Sequence, residues 1–121
     1  MPRVEPSARD RSVVEHMLQY CDQLQETLKE IDCNESRFLA SHTYQNAAAM
    51  CILQLGELTK QLSSDFTAAH SEIPWRVIAR TRDSYAHHYG SMDFSLVWKT
   101  AVQDVPAIQE FCKELLAKQR F

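Results

Sequence analysis

Apolar residues recur at steps of three and four along most of this chain. Val14, Met17, Leu18, Cys21, Leu24, Leu28 and Ile31 form one such series, with polar residues between them. That spacing lays them on a single stripe, so it predicts a first helix over residues 9–30. Asp32-Cys33-Asn34 breaks the pattern. Asn34 suits a helix N-cap, although Arg37 stands where a capping box would place an acid. A second, long helix is predicted over residues 35–62, with Phe38, His42 or Thr43, Ala47, Cys51, Leu55, Leu58 and Leu62 turned inward. Residues 63–72 read as a polar connection. Pro74 fits the first turn of a third helix, because that position needs no amide donor. Trp75, Ile78 and Ala79 mark its buried side, and it fades near His88 with Gly90 as a left-handed stop. Asp93 caps a fourth helix, in which Leu96, Val97, Ala101, Val105, Ile108, Cys112 and Leu115 point inward. Pro106 inside that pattern implies a kink or a restart with Val105 as the boundary. Period-two alternation is confined to a few residues at a time. The pattern therefore predicts an all-α protein, an antiparallel bundle of four to five helices.

Composition narrows this further. With 121 residues the chain has room for one domain, placed at residues 9–119 behind a loose tail at 1–8. Hydrophobic residues make up 45%, enough for a sizeable core. Two glycines and four prolines are few for a sheet protein and agree with long elements. Ala47-Ala48-Ala49 and Gly56 are small residues on a long helix and permit close approach by another backbone. Glu57 beside them reads as solvated or paired.

The net charge of −3 argues against broad electrostatic binding of nucleic acid and leaves room for a local basic site. None of Cys21, Cys33, Cys51 and Cys112 forms a Cys-x-x-Cys pair or sits at zinc-ligand spacing from a histidine. No apolar leader precedes them, so they read as reduced thiols of a cytoplasmic protein, with Cys21 and Cys51 in the core. No apolar run approaches the roughly 20 residues of a membrane span, and no membrane partner is expected.

One stretch concentrates chemistry. From Arg82 to Tyr89 the chain offers a permanent cation, a histidine that exchanges protons near neutral pH, and a phenol. On a helix Tyr89 falls near the stripe of Arg82, while His87 points about 140° away from it. Arg82 and His87 can then act on one atom in two ways. The helix ends before His87, or a second copy of the chain supplies the missing group.

Arginine and histidine without a carboxylate cluster suit metal-independent RNA cleavage. The 2′-hydroxyl attacks phosphorus, one histidine accepts its proton, another protonates the leaving oxygen, and arginine steadies the phosphoryl charge. Asp83 is the single carboxylate in the stretch, too few for a metal site; neither metal nor cofactor is expected. Arg76 and Arg80 add positive charge that either holds an RNA phosphate or is merely solvated. His88 reads as a neighbour and Tyr85 as a packing residue. Trp75 and Trp98 read as core or subunit-contact positions. Taken alone, Arg-x4-His is a weak pattern.

Arg82-Asp83-Ser84-Tyr85-Ala86-His87-His88-Tyr89 resembles the Arg-x4-His-x-Tyr motif of the HEPN superfamily, in its HepT-like branch. Ile73-Pro74-Trp75-Arg76, Ile52-Leu53-Gln54-Leu55-Gly56-Glu57 and Met92-Asp93-Phe94-Ser95-Leu96-Val97-Trp98 also match that branch, in order, over about residues 10–118. The resemblance implies a homodimer with the motifs facing a shared cleft. It further implies a ribonuclease toxin of a toxin–antitoxin pair, neutralised by a minimal nucleotidyltransferase that can transfer AMP to Tyr89. Arg82 and His87 would then be catalytic. Asp83 and Tyr89 would support them, with Tyr89 also the modification target. Asp83 stands where relatives often carry Asn and adds negative charge beside an RNA phosphate. The rival reading is a non-catalytic module whose motif is a recognition and modification site.

Overall fold

A computed structural model describes residues 7–87 and 89–118, and of Tyr85, Ala86 and Tyr89 the backbone alone. Every element among them is helical: α1 (Ala8–Glu30), α2 (Glu35–Leu39), α3 (His42–Gln61), α4 (Ser64–Ala69), α5 (Trp75–His87), a 3₁₀ turn (Tyr89–Ser91), α6 (Phe94–Lys99), a π-helical turn (Thr100–Asp104) and α7 (Val105–Lys118). Of the tail expected at residues 1–8, positions 1–6 lie outside the described residues. Ser7 already caps α1, its Oγ accepting the Asp10 amide at 3.1 Å. Residue 119, the expected end of the domain, also lies outside them.

The apolar stripe of α1 is buried as its spacing requires, with Val14, Met17, Cys21 and Leu24 nearly inaccessible. α1 ends in a pair of left-handed residues, Asp32 at φ 53° and Cys33 at φ 50°. The Cys33 amide donates to the Leu28 carbonyl and the Asp32 amide to the Lys29 carbonyl, a Schellman motif built without glycine. Asn34 then caps α2, accepting the Arg37 amide at 3.0 Å.

The single long helix expected over residues 35–62 is two helices. Ser41 turns its Oγ to the Tyr44 amide and starts α3 afresh, the competition with helix backbone that serine commonly offers. His42 and Thr43 are consequently exposed. Gln45 takes the inner position instead and donates to the carbonyls of Phe38 and Leu39 across the break. The polar connection after α3 also contains a helix, α4. Its N-cap Ser63 accepts the Phe66 amide, and Phe66 is buried. One aromatic residue in a polar segment leaves no periodic stripe to read.

α3 lies antiparallel to α1. Asp10 at the start of α1 accepts hydrogen bonds from the Ser63 amide at 2.9 Å and the Ser63 hydroxyl at 2.8 Å, just beyond the end of α3. α5 packs back along α3, so Ile78 and Arg82 lie over Gly56. α7 closes the bundle on α1, where Gln109 donates to Asp22 at 2.7 Å and Gln25 at 2.8 Å. Asp93 caps α6 through the Ser95 and Leu96 amides. Leu96, expected inward, is exposed, and Val97 and Trp98 carry the burial of this short helix. Trp98 packs against Phe38 with ring centroids 5.2 Å apart and planes tilted by 43°.

Pro106 marks the restart of the last helix, with Val105 as the boundary its place in the pattern implies. It has no amide hydrogen for the carbonyl four residues back, and its ring crowds that carbonyl. The chain accommodates this by widening into the π turn and restarting at Val105. Gly90 sits in the 3₁₀ turn without a positive φ, so the left-handed stop expected there does not form. Cys21, Cys51 and Cys112 are buried free thiols and Cys33 an exposed one. Burial pushes the Cys112 thiol up to about 12 and raises those of Cys21 and Cys51. The three are core residues without thiolate reactivity.

Candidate functional site

Helix α5 carries three arginines and one aspartate, and its geometry sorts them onto two sides. Ile78 and Thr81 face the core. Arg82 lies four residues after Ile78 and shares that side. Arg76, Arg80, Asp83 and His87 fall within a stripe about 60° wide on the other side, where Arg76, Arg80 and His87 are exposed.

Gly56 makes room for Arg82. A Cβ built on Gly56 would fall onto the Arg82 Cβ, 2.8 Å from its Cγ and 3.1 Å from the Ile78 carbonyl oxygen. The α3–α5 approach is therefore too close for a side chain at position 56 unless α5 moves away. Once seated there, Arg82 is held from two directions. Its Nε pairs with Glu57 Oε1, and its Nη1 donates to Asp83 Oδ1 at 3.0 Å. Lys60, one turn after Gly56 on α3, reaches the same Asp83 oxygen at 2.6 Å. Hydrogen bonds from Lys60 and then from Arg82 hold the Asp83 carboxyl below the usual carboxylate range, so it is anionic at neutral pH. The extra negative charge of Asp83 is thus met by two cations.

Glu57, read as solvated or paired, is paired with Arg82. Lys60 was not anticipated. Its spacing from Gly56 and Glu57 puts all three on one face of α3, and the packing of that face on α5 brings Lys60 to Asp83.

His87 is the last residue of α5 and is exposed. The helix is continuous from Arg82 to His87, so the geometry in which it ends before His87 does not occur. The two side chains leave the axis about 140° apart and about 7.5 Å apart along it. Tyr89 opens the 3₁₀ turn. Its side chain, that of Tyr85, and all of His88 lie outside the described residues. Trp75 is half-buried beside Phe66 and Phe111, and Trp98 is buried. Among the described residues, no group of three or more His, Cys, Asp or Glu side chains is placed to hold a metal ion. No helix among them is long and apolar enough to cross a membrane.

A helical bundle with an Arg-x4-His-x-Tyr segment closing one of its packed helices is a HEPN-type domain. The chain belongs to the family described as ribonuclease HepT-like, whose model matches residues 17–115. Among relatives, a protein of Caldanaerobacter subterraneus subsp. tengcongensis named as a candidate RNase is 31% identical over 110 residues. That match covers 91% of this chain and 96% of the relative. A protein of Thermococcus cleftensis named as a probable ribonuclease HepT is 33% identical over 99 residues, covering 82% of this chain and 88% of its own. No solved structure matches the chain.

Proposed function

We propose that the protein is an endoribonuclease that cuts RNA through its 2′-hydroxyl without a metal ion. The observation that carries this reading is a pinned guanidinium, Arg82, and an exposed histidine, His87, on one continuous helix, in a family described as ribonucleases. Arg82 steadies the non-bridging oxygens of the scissile phosphate. His87 accepts the 2′-hydroxyl proton as that oxygen bonds to phosphorus. The bond from phosphorus to the 5′-oxygen breaks, and a protonated histidine supplies the proton that oxygen takes up. One product ends in a 2′,3′-cyclic phosphate and the other in a 5′-hydroxyl.

The angle between Arg82 and His87 supports a homodimer in which one copy's histidine completes the other's site. In this reading the protein is the toxin of a toxin–antitoxin pair acting in the cytoplasm. A minimal nucleotidyltransferase silences it by transferring AMP to Tyr89, which adds bulk and negative charge beside Arg82.

Purified protein incubated with end-labelled RNA in chelator tests the chemistry. Wild type should cut and leave cyclic phosphate ends; Arg82→Ala and His87→Ala should not. A strict metal requirement would refute the mechanism. Light scattering should give twice the chain mass. Partner and ATP should add AMP mass to Tyr89 and to no other residue. One observation favours the rival recognition module: Arg82 is already engaged by two carboxylates. That module binds nucleotide or partner and cuts no RNA, even when Tyr89 is unmodified.

A further inference from the structure

A groove of about 720 Å³ opens between the end of α3, α4 and the first turns of α5. Leu62 and Ile73 give it an apolar floor, and the half-buried Trp75 lines it from α5. Lys60 and the exposed Arg76 stand on it from α3 and α5. The indole is fixed in advance. Its Nε1 donates to the His70 carbonyl at 2.9 Å, and its ring meets Phe66 and Phe111 at centroid distances of 6.2 and 5.7 Å. A preset aromatic surface loses little freedom when a ligand arrives.

We infer that this groove is a nucleobase subsite, taking one base of single-stranded RNA against Trp75 while Lys60 and Arg76 hold the adjoining phosphate. Aromatic surface beside paired cations is the chemistry by which unstacked nucleotides are held. Two cations on the groove favour an anionic strand over an uncharged apolar helix. The subsite connects to the Arg82 cluster through Lys60, which lies on the groove and also bonds Asp83. Trp75 and Arg82 are about 10 Å apart along α5, so the base would flank the scissile one. The inference rests on the ribonuclease reading for its ligand. It assigns the strand a path, from Trp75 along Arg76 and Lys60 towards Arg82.

Binding of a fluorescein-labelled hexadeoxyadenylate tests it, because a strand without 2′-hydroxyls cannot be cut through one. The same strand without bases isolates the phosphate contribution. Two variants separate the groove from the core. Ala68→Glu places bulk and negative charge on an exposed wall of the groove, and Trp75→Phe keeps an aromatic ring among Phe66 and Phe111. Removing the bases should weaken binding on the order of tenfold. Ala68→Glu should weaken binding of the intact strand by at least as much, and Trp75→Phe by less. The intact strand should also quench Trp75 emission in protein carrying Trp98→Phe.

Equal affinity for strands with and without bases, or unchanged binding by Ala68→Glu, would overturn the subsite. So would a change in oligomeric mass on Ala68→Glu with binding intact, since the groove would then be a contact between copies. Wild-type cutting of RNA with flat binding tests removes this inference alone. Base-dependent binding without any cutting removes the ribonuclease reading and leaves the groove.

Discussion

Gly56 on α3 and Arg82 on α5 touch so closely that a methyl group at position 56 and the Arg82 Cβ would need the same space. Alanine at position 56 should therefore do two opposed things. It gains roughly 1 kcal/mol of helix propensity. It also forces α5 outward, an overpacking cost of about 1–3 kcal/mol. The backbone of Ile78 lies at the contact too, so repacking one flexible side chain cannot relieve it. We expect Gly56→Ala to lose about 1 kcal/mol in urea denaturation and to lose RNA cleavage on the order of tenfold or more. A variant with full cleavage would show that the seat of Arg82 does not matter to the chemistry.

The carboxylate of Glu57 orients rather than stabilises. Its side chain is 40% exposed and that of Arg82 25%, and a partly exposed pair of this kind contributes on the order of 1 kcal/mol. Glu57→Gln should leave the denaturation midpoint nearly unchanged. Cleavage should fall because the guanidinium loses one of its two anchors. Arg82→Lys should be worse than Glu57→Gln, since a single ammonium cannot reproduce a guanidinium that pairs with Glu57 on its Nε side and hydrogen-bonds Asp83 through Nη1. Turnover measured at saturating RNA separates these effects from weaker binding.

Much of this arrangement is legible in the chain, and the parts that are not share a cause. Periodicity finds α1 and α7 because their burial follows a stripe, and capping residues place Asn34 and Asp93 correctly. It misses the break before Ser41 because a serine cap costs the apolar pattern nothing. It also misses α4, where Phe66 alone carries the burial. At the site, Arg82 and His87 stand out by residue type. That Gly56 meets Arg82 and that Lys60 meets Asp83, 23 positions on, are facts of how α3 packs on α5. No local pattern encodes them.

Cys33 is an exposed cysteine held at φ 50°, a conformation that favours glycine. Its amide, not its thiol, does the structural work by closing the Schellman motif on Leu28 at 2.8 Å. Cys33→Gly should keep that bond and relieve the backbone, raising stability by about 0.5–1 kcal/mol. Asp32→Gly relieves a similar strain and removes the Asp32–Arg37 pair at 3.1 Å, so its gain should be smaller. Thermal denaturation of both variants checks the order. A loss of stability in Cys33→Gly would mean that the thiol packs usefully.

Asp10 gives the fold an acid-sensitive joint. It is 3% exposed, so burial by itself would raise its carboxyl value. Bonds from the Ser63 amide and hydroxyl, with Ser7, outweigh that and hold it below the ordinary value. A carboxyl lowered in the folded state contributes stability that is complete above its unfolded value, about 3.9. That contribution fades as pH falls through the lower, folded value. Hydrogen bonds to a charged group are worth about 1.5–3 kcal/mol. Asp10→Asn should therefore lose about that much near pH 7. As pH falls through the lowered, folded value its stability should converge on that of wild type, since the wild-type carboxylate is then taking up its proton. Denaturation midpoints measured from pH 7 down to pH 2 for both proteins decide this. Parallel curves would place the acid sensitivity elsewhere, in Asp83 or the surface carboxylates, and leave Asp10 as packing alone.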